Sequence, residues 1–154
     1  MLHVALYQPE IPPNTGNIIR LCANTGASLH LIKPYGFDLD DKKLRRAGLD
    51  YHEFAAVQQY ESFEQFLERN DKYRIFACST HGKQHYSDVS YKENDMLLFG
   101  PETRGLPKAY LESCPLSQVI RIPMLKDSRS LNLSNSAAII LYEGLRQLDF
   151  KGML

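Results

Sequence analysis

The sequence predicts an α/β domain, a mainly parallel sheet with helices on both faces. Three observations carry this expectation. Five short apolar segments alternate with segments whose apolar residues recur every three or four positions, the pattern of βαβ units. No repeat, linker or shift in composition divides the 154 residues, so residues 1–154 are expected to form one domain. A chain of this length buries roughly 68–70% of the surface its unfolded form exposes, enough for a core without disulfides or a structural metal.

The strands are expected at residues 2–7, 29–32, 74–78, 96–99 and 119–122, each apolar and bounded by Pro, Gly or polar residues. Helices are expected at residues 17–24, 39–48, 62–68, 107–113 and, longest of all, 132–148. Ligands of parallel α/β sheets sit beyond the carboxyl ends of the strands. The loops that follow Tyr7, Cys78, Phe99 and Ile122 are therefore the places to look for function.

Composition narrows the class further. Lys+Arg and Asp+Glu both number 18, which argues against a protein that coats nucleic acid through net charge. The carboxyl-terminal third, residues 100–154, carries seven cations against five anions and is the better place for an anionic partner. Cys22, Cys78 and Cys114 are odd in number and in no CxxC spacing, which fits a reducing cytoplasm. The longest apolar run, residues 137–142, is far below the roughly 20 residues of a membrane span, and the amino terminus lacks the pattern of an export signal.

Several common signatures are missing. No two glycines are separated by a single residue, which removes the dinucleotide fingerprint, and Gly82-Lys83 is followed by Gln84 rather than by the hydroxyl of a Walker loop. No G-x-S-x-G elbow is present. His81 and His85 stand four apart and can share a helix face, but no third ligand lies at a recognisable spacing, so no metal site is assigned.

Three constellations remain. Asn14-Thr15-Gly16-Asn17-Ile18-Ile19-Arg20 follows Pro12-Pro13, and on a helix Asn17, Arg20 and Asn24 form a thin polar wedge opposite Ile18, Ile19, Cys22 and Ala23. The plainer alternative is a solvent stripe on a helix capped by Asn14 or Thr15. Residues 97–107 run from a buried strand into Gly100-Pro101-Glu102-Thr103-Arg104-Gly105, a loop in which Gly100 admits a close approach and Gly105 a bend. A solvated Glu102–Arg104 ion pair is the plain reading there. Residues 120–138 pass from Ile122-Pro123-Met124 through Lys126-Asp127-Ser128-Arg129 and Ser130-Leu131-Asn132 into a helix whose free first-turn N–H groups suit a polar ligand, with Ser134 and Asn135 as alternative caps.

Together these strings resemble the SPOUT superfamily of S-adenosylmethionine-dependent RNA methyltransferases, and within it the short single-domain enzymes that methylate the 2′-hydroxyl of the wobble nucleotide of tRNA. N-x-G-N-x-x-R, F-G-P-E-x-x-G-L, and I-P-M followed by S-L-N-L-S-N-S-A-A occur in the expected order over nearly the whole chain. The resemblance implies a trefoil knot near the carboxyl terminus, made by threading the segment after Ile122 through the loop near residues 78–100. It also implies a homodimer whose active sites draw on both subunits. The apolar face Leu133, Ala137, Leu141, Leu145 and Leu148 suits that interface or the monomer core equally.

The resemblance further implies a cofactor pocket at Cys78, Gly100, Glu102, Ile122, Met124, Ser130 and Leu131, releasing S-adenosylhomocysteine and using no metal. Arg20 is the implied catalytic residue. A guanidinium with a pKa above about 12 is an awkward base, so its expected role is to hold the 2′-oxygen and stabilise the developing alkoxide. Asn17 would orient it, Arg104, Lys126 and Arg129 would contact phosphates, and Tyr142 would face the substrate unless it is a core tyrosine. The substrate expected is position 34, cytidine or modified uridine, in the anticodon loop. Other ribose methylation of rRNA or tRNA, a non-catalytic binder of S-adenosylmethionine or RNA, and a Cys78–His81 thiol hydrolase are the alternatives.

Overall fold

A computed structural model describes residues 1–39, 53 and 56–154. The described elements are β1 (His3–Tyr7), α1 (Pro12–Thr25), β2 (Ser28–Ile32), β3 (Val57–Tyr60), α2 (Phe63–Arg69), β4 (Ile75–Cys78), β5 (Gln84–His85), β6 (Met96–Phe99), α3 (Lys108–Ser113), β7 (Val119–Arg121) and α4 (Leu133–Gln147). The strands form one sheet in the order β3-β2-β1-β6-β4-β7-β5, and every pairing is parallel. No helix among the described residues is long and apolar enough to cross a membrane.

Burial on both faces explains why the central strands are continuous apolar runs. Val4, Leu6, Leu29, Leu31, Leu97 and Phe99 point to one side, where Ile18, Ile19 and Cys22 of α1 and Leu133, Ala137, Ile140 and Leu141 of α4 cover them. Ala5, Ile32, Ala77, Met96 and Leu98 point to the other, under Phe66 of α2 and Leu106 beside α3. The apolar face of α4 is thus monomer core. Ala23, expected on the buried arc of α1, is exposed.

Some boundaries differ from expectation for physical reasons. α1 begins at Pro12 rather than Asn17, because Pro12 and Pro13 occupy the first turn, where a missing N–H is not needed. β3 is a polar edge strand, and β5 has only two residues, so neither shows the apolar run by which a strand is recognised. His85 consequently lies on a strand and does not share a helix face with His81. The helix expected at residues 39–48 falls, beyond residue 39, outside the described residues.

β7 lies between β4 and β5, although those two are consecutive in the chain. Residues 79–83 must therefore cross over β7. The Ser79 N–H donates to the Ile120 carbonyl at 2.9 Å, and a Cβ on Gly82 would stand 2.8 Å from the Ile120 carbonyl carbon.

One polar chain is buried under α2. His3 Nδ1 lies 3.0 Å from His30 Nε2, His30 Nδ1 lies 2.7 Å from the Tyr60 hydroxyl, and Asn70 Nδ2 donates to that oxygen at 3.2 Å. With the Tyr60 hydroxyl donating to Gln58 Oε1, His30 donates from Nδ1, accepts at Nε2 from His3, and both rings are neutral. Burial, then repulsion from His3, lowers the His30 pKa to about 4, and burial is also the first cause of the lowering at His3. The unfolded histidines bind protons near pH 6.5, so this stabilisation is whole above that pH and is lost as pH falls toward 4. His30 alone should cost about 3 kcal/mol over that window. Urea midpoints measured from pH 7 to pH 4 should fall, and His3→Leu with His30→Phe should flatten the part of the fall above pH 5. A wild-type midpoint unchanged between pH 6.5 and 5 would contradict this assignment.

Candidate active site

The carboxyl ends of β1, β4, β6 and β7 open into a cavity of about 1320 Å³. Tyr7, Cys78, Phe99 and Arg121 mark those four strand ends, and the loops after β6 and β7 close the walls. The site sits where the chain leaves β1 toward β2 on one side and lies against β6 on the other, the switch point at which parallel α/β sheets bind ligands.

Two loops are locked together at its mouth by a pair of glutamates. Glu102 accepts from the backbone N–H groups of Glu10 at 3.0 Å and Ile11 at 2.5 Å, and from Asn14 Nδ2 at 3.4 Å. Glu10 in turn accepts from the Thr103 N–H at 2.9 Å and its hydroxyl at 2.7 Å, and these two bonds hold the Glu10 carboxyl below its ordinary pKa. Ile11 is the N-cap of α1 and has no side-chain oxygen to offer; Pro12 and Pro13 carry no N–H, the Asn14 and Thr15 N–H groups reach the Ile11 carbonyl, and the Glu102 carboxylate takes the N–H groups of Glu10 and Ile11 just ahead of the helix. Neither Asn14 nor Thr15 caps the helix.

Asn14 carries the connection onward. Its Oδ1 accepts from Asn132 Nδ2 at 3.0 Å, and Asn132 Oδ1 caps α4 by accepting from the N–H groups of Ser134 at 2.9 Å and Asn135 at 3.3 Å. All three sequence constellations thus meet in one chain, Glu102–Asn14–Asn132. Asn132 is the cap, and Ser134 and Asn135 supply the donors. Sequence reasoning gave Asn14 no more than a capping role. Its place at the head of the N-x-G-N string was the available signal, but the partner stands 118 positions away.

Gly100 is required by the fold of its own loop. A Cβ there would stand 2.4 Å from the Gly105 carbonyl carbon and 2.5 Å from the Leu106 nitrogen, while Gly105 turns the chain with φ +70°. The close approach expected of a ligand is made first by the protein's own backbone.

Cys78, Gly100, Glu102, Ile122, Met124, Ser130 and Leu131 all line the cavity, as does Arg104. Arg104 Nη2 donates to Gln8 Oε1 at 3.1 Å and its Nε lies 3.8 Å from Glu10, so its ion pair is with Glu10 and not with Glu102. Burial pushes the Cys78 thiol well above its ordinary pKa, which keeps it a neutral wall and not a nucleophile. Cys78 Sγ faces the Phe76 carbonyl at 3.8 Å, while His81 is exposed.

The other expected residues do not line this cavity. Arg20 lies further along α1, where its Nε donates to Glu53 Oε2 at 2.8 Å. Asn17 is exposed on the same helix, and Lys126 and Arg129 are exposed on the loop after β7. Tyr142 is 42% exposed on the outer face of α4 beside Ile139, so it is neither a core tyrosine nor turned to the cavity of its own chain.

Residues 1–142 match the SpoU rRNA methylase family. The chain belongs to that family. Among its relatives, a tRNA (cytidine(34)-2′-O)-methyltransferase of Escherichia coli strain K12 is 59% identical over 152 residues, covering 99% of this chain and 97% of the relative. A solved structure described as giving insight into the 2-OH methylation of C/U34 on tRNA aligns with TM-score 0.89 and 46% identity over 97% of both chains. The SpoU methyltransferase AviRb from Streptomyces viridochromogenes, solved with its cofactor AdoMet, aligns with TM-score 0.83 and 27% identity, covering 97% of this chain and 58% of that one. Membership bears out the likeness drawn from the three strings and the parallel α/β fold.

Proposed function

We propose that this SpoU-family chain transfers a methyl group from S-adenosylmethionine to the ribose 2′-hydroxyl of the wobble nucleotide, cytidine or uridine at position 34, in the anticodon loop of tRNA. The observation that carries the reading is the convergence of all seven implied cofactor residues on one cavity at the strand ends, in a chain that matches a cytidine-34 methyltransferase along 99% of its length. Apolar Ile122, Met124 and Leu131 and the tight Gly100 loop suit an adenosyl group. When bound, the cofactor supplies an electrophilic methyl on a sulfonium whose charge disappears on transfer. The protein's part is to align the acceptor and exclude water. No metal is given a role.

Arg20 is the proposed catalytic residue, and it does not line its own chain's cavity. We therefore place it against the cavity of a second copy, in a homodimer that also covers Ile139 and Tyr142. There its guanidinium holds the ribose oxygen as its proton leaves, Asn17 lies alongside, and Arg104, Lys126 and Arg129 contact phosphates, which orient the RNA without specifying it. Tyr142 stacks on or hydrogen-bonds to RNA at that interface. The position of β7 between β4 and β5 supports the trefoil threading of the segment after Ile122, and three cysteines without a disulfide suit a cytoplasmic enzyme of one domain.

Labelled methyl transfer to whole tRNA and to an isolated anticodon stem–loop should place an alkali-resistant dinucleotide at position 34. Methyl groups on a base, or on a ribose outside the anticodon loop, would overturn the substrate. Transfer to rRNA, the reading suggested by the family's description, would do the same.

A further inference from the structure

Resting on the reading of the large cavity as the S-adenosylmethionine site, we infer that Arg121 binds the carboxylate of the cofactor's methionyl tail. The sequence strings single Arg121 out neither for the cofactor nor for the RNA. It is the last residue of β7, at one of the four strand ends on which the cavity opens, and it lines the wall. Alternation along the strand puts it on the same face as Val119, which pairs with Ala77 in the core under α2 and α3. Arg121 therefore belongs to the α3 side of the cavity, with Leu111 and Glu112.

The other charges of the wall are already engaged. Arg104 donates to Gln8 at 3.1 Å and lies 3.8 Å from Glu10, and Lys108 lies 3.8 Å from Glu112. Glu102 is held by the N–H groups of Glu10 and Ile11 and by Asn14. Among the described residues the Arg121 guanidinium has no hydrogen-bond or ion-pair partner, although the residue is partly buried. A fork of five donors set into a wall without an acceptor costs desolvation and gains no bond, unless an anion completes it. Its planar geometry matches a carboxylate through two parallel bonds. S-adenosylmethionine carries one such group, the α-carboxylate, while its sulfonium and ammonium are cations that Arg121 repels. Arg121 thus orients the tail: the adenosyl group lies against Ile122, Met124 and Leu131, and the carboxylate end points to β7. An RNA phosphate is the lesser fit, because Lys126 and Arg129 stand exposed outside the cavity, whereas Arg121 shares its wall with all seven implied cofactor residues.

Calorimetric titration of the full-length protein with S-adenosylmethionine and with decarboxylated S-adenosylmethionine isolates the contact. Wild type should bind the decarboxylated ligand about tenfold or more weakly, since that ligand has lost the acceptor and kept the cations. Arg121→Met keeps an apolar stem in the wall and removes the fork. It should bind S-adenosylmethionine about tenfold or more weakly than wild type does, and the decarboxylated ligand within about twofold of wild type, the non-additivity of a direct contact. Lys108→Ala, which removes a neighbouring positive charge, should leave both affinities within about twofold. Equal affinity of wild type for the two ligands would overturn the inference without any variant having to fold. So would wild-type affinity for S-adenosylmethionine in Arg121→Met, equal weakening of both ligands in that variant, or the same selective loss in Lys108→Ala. A defect of Arg121→Met confined to KM for tRNA would assign Arg121 to an RNA phosphate and overturn it too. Failure of wild type to bind either ligand would overturn the cofactor reading itself, whereas equally tight binding of both removes the role of Arg121 alone.

Discussion

Arg20→Ala should lower methyl transfer by about 10²–10³-fold, the usual consequence of removing one donor from a developing oxyanion. Cofactor affinity and melting temperature should stay near wild type, because Arg20 lies outside the cavity and its side chain is substantially exposed in the ion pair with Glu53. The stronger form of the test uses mixed dimers. Suppose each active site combines Arg20 of one subunit with the cavity of the other. Arg20→Ala subunits then keep a good cavity, and subunits with a damaged cavity keep a good Arg20. Equal amounts of the two inactive proteins, unfolded and refolded together, give hybrids as half of the dimers, each with one intact site. Activity should return to about a quarter of wild type. Each inactive variant staying inactive in the mixture would place Arg20 and the cavity in the same subunit.

The sheet's interior strands are legible in sequence because burial on both faces leaves uninterrupted apolar runs such as Met96–Phe99. Edge strands carry no such pressure. Val57–Tyr60 holds two glutamines, and only its register beside Leu29–Ile32 reveals it as β3. Strand order is equally hidden, since nothing in the local pattern of Val119–Arg121 says that it slips between two strands consecutive in the chain. That placement depends on contacts across the sheet, to Cys78 on one side and Gln84 on the other.

The site divides along the same line. Residues that bound the cavity sit at strand ends and in glycine loops, and their sequence strings are compact enough to be read as units. The bonds that join those strings are not. Glu102 could be singled out as a polar residue at a ligand-binding end, but its hold on the Glu10 and Ile11 N–H groups at the entrance to α1 joins residues 92 and 91 positions apart. Asn14, Asn132 and Glu53 acquire meaning from partners 118 and 33 positions away in the pairs Asn14–Asn132 and Arg20–Glu53. Arg20 shows the opposite limit, since its string marks it while its own chain places it outside the cavity.

Gly100→Ala should be the most damaging single-methyl change in the cavity. The added Cβ would meet the Gly105 carbonyl carbon at 2.4 Å, the Leu106 nitrogen at 2.5 Å and the Gly105 Cα at 2.8 Å, all of them backbone atoms that no rotamer change can move aside. The loop must open instead, and it cannot open freely. Thr103 is tied to Glu10, and Glu102 to Glu10, Ile11 and Asn14. Leu106 is buried in the core under the sheet. Overpacking of this kind costs about 1–3 kcal/mol, which in a domain of this size lowers the melting temperature by roughly 2–12 °C. Because the same backbone forms the cavity wall, S-adenosylmethionine affinity should fall about tenfold or more, equivalent to at least about 1.4 kcal/mol of binding. Gly105→Ala is the control. Its Cβ meets nothing within 4 Å, and its φ of +70° imposes backbone strain without touching the wall. Calorimetric titration and thermal melts of the two variants should therefore part company, with Gly105→Ala losing stability at nearly unchanged cofactor affinity and Gly100→Ala losing both. Equal cofactor affinity in the two proteins would show that the wall does not depend on the closeness of Gly100 to Gly105.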